Sequence, residues 1–393
     1  MISFDEAMAI IDDAARPLGT THVPLAAAYG RIVAEPVIAG LDAPRSAVST
    51  MDGYAVREAD LPVRALRVVG QSFPGAGFAG RIGAGECVRI FTGAPLPAGA
   101  DRVLIQEIVE RSDDRAIVAA PCGSARYVRE RASDFAAGDV LLPVGTRLSA
   151  RAIVAVGGAD LAGVEVFRRP GVTILGTGDE LTEPGTARRH PERIPESLSF
   201  GIAALATDWG ADVLGRSRVE DDPAALEAAA TAALNRSDLL LVTGGASVGE
   251  RDYAQPALLA VGLEMLFSKV AIKPGKPVWF GRVRGKLAMG LPGNPTSAMV
   301  TARLLLAPLL LGIGGRDPRE ARRWSPGPLA ARLGPTGDRE TFLRGAWEGD
   351  MVRPISNQDS GAQRALADAT LLIRRCAGAP AVDAGDAVDV LEF

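Results

Sequence analysis

Two glycine-rich segments carry most of the chemistry in this sequence: Gly176-Thr177-Gly178-Asp179-Glu180 and Thr243-Gly244-Gly245-Ala246-Ser247-Val248-Gly249-Glu250-Arg251-Asp252. Each follows an apolar run, Val172–Leu175 broken only by Thr173 and Leu239–Val242 without interruption, and each finishes in carboxylates. Glycine lets backbone N–H groups close in on an anion, and the hydroxyls add donors. The carboxylates would repel a bare phosphate, so a divalent cation is expected between the two. Mg2+, held by one or two carboxylates together with substrate phosphates, fits that arrangement. Asp221 is expected on the same rim. Taken singly, either segment reads equally as a helix-capping turn.

Positive charge is placed with unusual economy. Of 43 basic residues only four are Lys, and all four fall in one stretch: Lys269, Lys273, Lys276 and Lys286. A compact, strongly hydrated ammonium is not interchangeable with a planar guanidinium. In Ala271-Ile272-Lys273-Pro274-Gly275-Lys276-Pro277 the prolines fix φ and hold two ammonium groups in place. The competing reading is an edge strand with solvated lysines. Lys286 sits in an expected hairpin turn, Arg282-Val283-Arg284-Gly285-Lys286. Gly290-Leu291-Pro292-Gly293-Asn294-Pro295 precedes an expected helix with Asn294 at a cap-like position, where backbone amides again suit an anion. Met51-Asp52-Gly53-Tyr54-Ala55 and the segment Thr92 to Asp101 are tight, rigid turns.

These residues need strands and helices behind them. From 170 onward, strands (Gly171–Gly176, Asp212–Val219, Leu239–Val242) alternate with helices (from Ser197 to Gly210, and after Asp222-Pro223). That alternation predicts a parallel α/β sheet, in which ligands bind beyond the carboxyl ends of the strands. Asp222 is a plausible N-cap with Pro223 at the first helical position. Two further strands, from Val278 and from Lys286, and a helix from about Thr296 to Leu311 complete the domain. Residues 46–137 are short alternating runs between Gly-rich turns, which predicts an inserted β-rich domain. Residues 1–45 and 138–168 are expected to form one discontinuous mixed domain, 169–315 the α/β domain, and 316–393 a small C-terminal β domain. Ser3-x-x-Glu6 is a capping box that opens the first helix.

Bulk properties narrow the function classes. At 393 residues several domains are expected. No apolar run reaches the roughly 18 residues needed to span a bilayer, and Met299–Ile313, interrupted by Arg303 and Pro308, reads as a buried helix. A net charge of −4 with interspersed signs argues against a nucleic-acid partner. Two histidines, His22 and His190, argue on numbers alone against a His-ligated metal centre. Cys87, Cys122 and Cys376 lie far apart, as expected of reduced thiols in the cytoplasm, and the N-terminus lacks the basic start of a signal peptide.

Six motifs in order, STMDGYAV, FTGAPLPAGADRVLIQE, GTGDELTEPG, TGGASVGERDY, AIKPGKPVWFG and GLPGNPTSA, resemble the molybdopterin molybdenumtransferase family, the MoeA proteins and the homologous C-terminal part of gephyrin. The resemblance runs from Ser3 to about 315 and is fainter beyond. It implies a MoeA-like α/β and β multidomain fold: a parallel α/β molybdopterin-binding domain, the inserted β-rich domain and a C-terminal small β-barrel, assembled as a homodimer. It implies insertion of molybdate into adenylated molybdopterin, with Mg2+ and release of AMP and molybdenum cofactor. Adenylyltransferase and molybdoenzyme maturation proteins are the implied partners.

Carried over, the resemblance assigns Glu180 and Asp252 to the cation. It assigns Asp52, Thr92, Asp221, Lys269, Lys273 and Lys276 to catalysis, the lysines neutralising molybdate or phosphate. Arg129, Asp134, Thr177, Gly178, Gly244, Gly245, Ser247, Gly249, Pro292, Gly293, Asn294, Pro295 and Ser360 are expected to bind substrate. The chain departs from the family pattern at Ala47 and Val48, where Asp-Asn is usual, and at Glu196-Ser197-Leu198, where Asp-Ser/Thr-Asn is usual. Gly176 and Thr243 replace serines. Leu198 removes an amide that both donates and accepts. Those losses leave open a non-catalytic binding or carrier protein, or a variant with altered metal or nucleotide. Adenylyl transfer from ATP is a third reading, which the full-length MoeA-like arrangement disfavours.

Overall fold

The computed structural model describes residues 1–244 and 253–393. The chain divides into two compact units: one of His22–Tyr29 and Glu35–Glu165, the other of Met1–Thr21, Gly30–Ala34 and Val166–Phe393.

In the first unit the short alternating runs form one six-stranded sheet. Its strands are β1 (Gly53–Val56), β2 (Ala65–Ser72), β3 (Glu86–Ile90), β4 (Arg102–Ile105), β5 (Val109–Ser112) and β6 (Arg115–Val118), in the order β4-β1-β3-β2-β6-β5. Strand β1 is central and fully buried, with Gly53 opposite Ile90 on one side and Ile105 on the other. A Cβ on Gly53 would fall inside the Leu104 carbonyl, so only glycine allows β4 this close. Val56, Leu66, Cys87 and Leu104 fill the core of this unit. Burial pushes the Cys87 thiol up to about 12, which makes it a small core hydrophobe rather than a nucleophile.

The second unit contains the α/β sheet: β7 (Gly171–Thr177), β8 (Asp212–Val219), β9 (Leu239–Thr243), β10 (Leu263–Ser268), then, after the short strand β11 (Ile272–Lys273), β12 (Trp279–Val283) and β13 (Lys286–Leu291). The order is β8-β7-β9-β13-β12-β10. Strands β8, β7, β9 and β13 are parallel, and β7 and β9 are buried throughout, which explains their mostly apolar runs. The sheet is not wholly parallel as expected: β12 runs antiparallel to both β13 and β10. The cause is the anticipated hairpin, whose Arg284 and Gly285 both take left-handed φ, as a two-residue turn between twisted strands requires. Lys286 there lies 3.8 Å from Asp238 in an ion pair of its own.

The helices of this unit follow their local signals. In α1 (Phe4–Ala14) Ser3 Oγ accepts from the Glu6 N–H and the Glu6 carboxylate accepts from the Ser3 N–H, completing the capping box. Helix α2 spans Leu198–Asp208 and ends just before Gly210 at φ +89. In α3 (Pro223–Arg236) Asp222 accepts from the Ala225 N–H at 2.8 Å, and Pro223 occupies the first position. Helix α4 spans Ala254–Ala260. Phe4, Ala7, Met8 and Ile11 of α1 lie in the large core with Ile174, Leu241 and Leu309. Helix α1 therefore groups with the α/β sheet, while residues 35–45 fall in one unit with everything from 46 to 165. The sequence expectation of a single 1–45 plus 138–168 piece misses this split, because amphipathicity shows that a face is buried but not what covers it.

Helix α5 (Pro295–Ile313) is long and apolar enough to cross a bilayer on composition, yet 94% of its most apolar window is buried inside the protein. A π-turn at Ala302–Leu306 interrupts it. There Arg303 is buried and donates to the carbonyls of Glu392 and Ala321 at 2.7 and 2.8 Å, with its guanidinium 4.8 Å above Trp209. Strands β14 (Ser325–Pro328), β15 (Glu340–Glu348), β16 (Met351–Pro354), β17 (Leu371–Arg375) and β18 (Ala387–Glu392) form the C-terminal sheet, in the order β16-β15-β17-β18-β14. Leu329, just past β14, bridges to Val352 of β16, so the ladder closes into the expected small barrel around Leu329, Val352, Leu371, Ile373 and Val390.

Candidate functional site

In the second unit, three glycine-bearing segments meet where the parallel strands end. Gly244 stands at the centre with φ +82, a conformation that glycine adopts without steric cost. A Cβ there would lie 2.6 Å from the Thr177 carbonyl oxygen and 2.8 Å from its Oγ1. On the other side, a Cβ built on Gly293 would come within 3.5 Å of the Gly244 Cα. The Thr177 hydroxyl donates to the Thr243 carbonyl at 3.4 Å, tying the two strand ends together. The end of β7, the end of β9 and the Pro292-Gly293 turn after β13 are thus packed main chain to main chain. That is the construction an anion needs if backbone N–H groups are to reach it.

Carboxylates stand on the rim. Glu180 is exposed and folds back over Gly178, whose absent Cβ would lie 2.8 Å from both carboxylate oxygens. Asp179 accepts from the Asp221 N–H at 3.1 Å, which joins the segment after β7 to the one after β8. Among the described residues no cluster of three or more His, Cys, Asp or Glu side chains is positioned to hold a metal. The donors near Gly178 are carboxylate and hydroxyl oxygens, which suit a hard cation that keeps most of its waters and takes one or two protein carboxylates. Asp252, Gly245, Ser247 and Gly249 lie outside the described residues.

Helix α5 begins at this edge. Asn294 is its N-cap residue, and its side-chain amide donates to Ser360 Oγ at 3.0 Å. The Thr296 N–H donates to the Ser360 carbonyl at 3.1 Å. The segment carrying Ser360 is fixed from below by Arg344, which is 1% exposed. Arg344 donates to Thr296 Oγ1 at 3.1 Å, to the Asn357 carbonyl at 3.1 Å and to Gln358 Oε1 at 3.3 Å. Asn294 and Ser360, 66 residues apart in sequence, are joined by this bond. Arg344, which holds them, was not among the sequence candidates. A lone Arg in an alternating strand looks no different from an exposed one.

The lysine segment packs against the same helix, since a Cβ on Gly275 would collide with Thr301 Oγ1 of α5. Lys273 and Lys276 are exposed and Lys269 is half-buried, its N–H donating to the Val278 carbonyl at 2.7 Å. Ile272–Lys273 is also an edge strand, parallel to β15, so the plainer reading holds for the backbone. Lys273 lines a cavity of about 440 Å³ together with Thr336, Arg339, Gln358 and Arg375.

Sequence reasoning missed Glu196. It is 7% exposed, and its oxygens accept from the Ser199 N–H at 2.8 Å and the Ser199 hydroxyl at 2.6 Å. It therefore caps α2, with its carboxyl carbon 3.8 Å from where a Gly176 Cβ would stand. Arg216 donates to the same Ser199 hydroxyl at 2.8 Å. Leu198 is buried in the main core, packed rather than hydrogen-bonded through its side chain.

The first unit holds its own set. Asp52 Oδ1 accepts from both the Thr92 N–H and the Thr92 hydroxyl, each at 2.8 Å. Those two bonds, the backbone one first, hold the Asp52 carboxyl below the ordinary carboxylate range, with Arg89 adding to the effect. The Gln106 N–H donates to the Asp52 carbonyl at 3.0 Å. Val48–Ser49, which contains the second of the two departures at Ala47 and Val48, pairs antiparallel with Val128–Arg129 and is bonded through Ser49 to Ala94 and Gly93. Asp52, Thr92 and Arg129 thus gather around one short ladder. Arg129 and Asp134 are exposed, and the Asp134 N–H donates to the Ala43 carbonyl at 3.0 Å.

This architecture matches known families over almost its whole length. Residues 2–158 match the MoeA N-terminal region (domain I and II), residues 173–312 a probable molybdopterin binding domain, and residues 326–393 the MoeA C-terminal region (domain IV). The chain is 35% identical to a molybdopterin molybdenumtransferase of Nostoc sp., over 83% of this chain and 77% of the relative. It is also 35% identical to a molybdopterin molybdenumtransferase of Haemophilus influenzae, over 80% and 78%. Its structure resembles a molybdopterin biosynthesis MoeA protein from Pyrococcus horikoshii with a TM-score of 0.87 at 29% identity, covering 100% of this chain and 99% of that one. The chain belongs to the MoeA family of molybdopterin molybdenumtransferases.

Proposed function

We infer that this protein acts in molybdenum cofactor biosynthesis, inserting molybdate into adenylated molybdopterin with release of AMP. The observation that carries the reading is the meeting of Thr177, Gly244 and Gly293 at one edge of the sheet that matches a probable molybdopterin binding domain. Main-chain N–H groups and the hydroxyl at Thr177 would hold the substrate's phosphates. Glu180, with Asp252 beyond the described residues and Asp221 assisting, would hold a divalent cation such as Mg2+, which when bound offsets phosphate charge. Lys269, Lys273 and Lys276 supply positive charge for the molybdate oxyanion, and Asn294, Ser360, Pro292 and Pro295 shape the floor. Asp52 and Thr92 are the acid and hydroxyl of the first unit assigned to the same reaction. The assembly expected is a homodimer in a reducing cytoplasm, the latter supported by the three free cysteines. An adenylyltransferase would supply its substrate.

The test mixes purified protein with adenylated molybdopterin and Mg2+, with and without molybdate. Molybdate-dependent AMP release is expected, whereas binding without release would make the protein a carrier. In Glu180→Gln, AMP release should fall on the order of 100-fold, with the Mg2+ concentration for half-maximal rate shifted upward. Unchanged Mg2+ dependence would remove Glu180 from the cation site.

A further inference from the structure

The amino ends of the parallel strands carry a charge cluster that the assignments above do not use. Gly171 opens β7, Asp212 opens β8, Asp238 precedes β9 and Lys286 opens β13. These four line one cavity of about 490 Å³, and every residue lining it belongs to the second unit. Strand β7 runs from this edge to Thr177, a span of roughly 20 Å at about 3.3 Å per residue. The cavity therefore lies at the edge of the sheet opposite the cluster around Gly244.

Four guanidinium groups, those of Arg31, Arg168, Arg169 and Arg236, join the Lys286 ammonium there. Among the described residues only the carboxylates of Asp212 and Asp238 face them, a formal excess of three positive charges in a chain whose net charge is −4. Those carboxylates leave the cations incompletely paired. Asp238 Oδ2 accepts from the Gly171 N–H at 2.9 Å and stands 3.6 Å from Arg168, with Oδ1 3.8 Å from Lys286. Asp212 lies 3.4 Å from Arg169. Arg31 donates to the Phe167 carbonyl at 3.0 Å, while its Nε is buried without a hydrogen-bond partner. Burial first, and then the charge of Arg169, hold the Arg31 guanidinium below its ordinary range, with Asp212 opposing them. Arg236 makes no hydrogen bond or ion pair among the described residues, and its guanidinium lies 2.7 Å from where a Cβ on Gly215 would stand.

One reading needs no ligand: Arg236 ends α3, where a cation suits the helix dipole. That accounts for one charge of the five. It does not explain why Arg31 and Arg169 are kept close enough to repel, or why a buried Nε is left unsatisfied, both of which oppose folding. A multivalent oxyanion answers both, since it brings negative charge and acceptor oxygens in the fork geometry that guanidinium groups match. The volume is that of a small-molecule site. We propose that this cleft binds a compact multivalent phosphate, an inorganic or nucleoside diphosphate, at the amino edge of the sheet, with Arg31 and Arg236 as its principal donors.

The test is calorimetric titration of the full chain with inorganic pyrophosphate, and separately with ADP and with polyglutamate, at low ionic strength. The cluster around Gly244 could also take pyrophosphate, so wild type and Gly244→Ala are titrated side by side, and binding is expected in both. Arg236→Gln should weaken it roughly tenfold or more in either background, the loss expected of one charged hydrogen-bond partner. Arg236→Lys should recover part of that loss, and Arg31→Gln should act in the same direction. Because Arg236 has no partner to lose, Arg236→Gln should leave the melting temperature and AMP release unchanged. Pyrophosphate and ADP binding alike would mark a nucleotide site, and pyrophosphate alone an inorganic one. Binding that disappears in Gly244→Ala, or that survives both Arg236→Gln and Arg31→Gln undiminished, would overturn the proposal. So would polyglutamate binding in preference to both phosphates, which would make the cleft a seat for an acidic peptide.

Discussion

The strand-end cluster around Gly244 and the Asp52 corner are built by opposite means. Around Gly244 the chemistry belongs to the main chain: side chains are withheld so that Thr177, Gly244 and Gly293 can touch. At Asp52 a side chain does the work, with one carboxylate oxygen held by a hydroxyl and an N–H from a residue 40 positions away. A main-chain site tolerates almost no added atom and says little about which polar side chain lies nearby. A side-chain site tolerates isosteric exchange but depends on the charge of one group. The two should therefore fail differently when altered.

The largest effect is expected beneath the corner rather than in it. Gly53→Ala drives a methyl into the Leu104 carbonyl between paired strands, where nothing flexible can yield. It should cost at least about 4 kcal/mol and lower the melting temperature of the first unit sharply. Gly244→Ala puts a Cβ at φ +82 and 2.6 Å from a backbone oxygen. Left-handed strain alone is about 1–2 kcal/mol, so a modest drop in melting temperature with near-complete loss of AMP release would mark a site made of backbone. A Gly244→Ala protein with normal turnover would dissolve the contrast between the two regions.

Thr92→Val is the mildest change and the sharpest discriminator. It removes the hydroxyl bond and keeps the N–H bond, the larger of the two causes, so the Asp52 pKa should rise part of the way to its ordinary value. The sign follows from the folded pKa being depressed. The stability tied to ionised Asp52 is complete above the unfolded carboxylate pKa and is lost as pH falls through the folded one. In Thr92→Val that acid loss should be smaller and should be complete at a higher pH, since the unfolded pKa at which it begins is unchanged. Carboxyl-carbon NMR titration of Asp52 measures it directly, and an unmoved titration would mean the hydroxyl bond is idle.

Much of the α/β region was legible because its signals are local. Asp222-Pro223 starts α3, Ser3-x-x-Glu6 starts α1, and mostly apolar runs mark the doubly covered strands β7 and β9. The antiparallel turn at Arg284-Gly285 was legible as a hairpin, although its consequence for the sheet was not drawn. Less could be read where a residue's meaning depends on a distant partner. Glu196 looked like a departure from the family pattern, and in the fold it caps α2 through Ser199. Arg344 was invisible as a candidate, because alternation cannot distinguish a buried guanidinium from an ordinary strand residue.

By itself, the amino-acid order determined the types of element, and its motifs carried the resemblance to a family. The elements follow from φ/ψ preference, capping and periodicity, which act over a few residues. Only the tertiary structure decided that Asn294 meets Ser360, that Thr177 meets Gly244, that α1 enters the large core, and that the last strands close into a barrel. Such contacts join residues tens or hundreds of positions apart. Their free energy comes from burial and hydrogen bonding that exist only once the chain has folded.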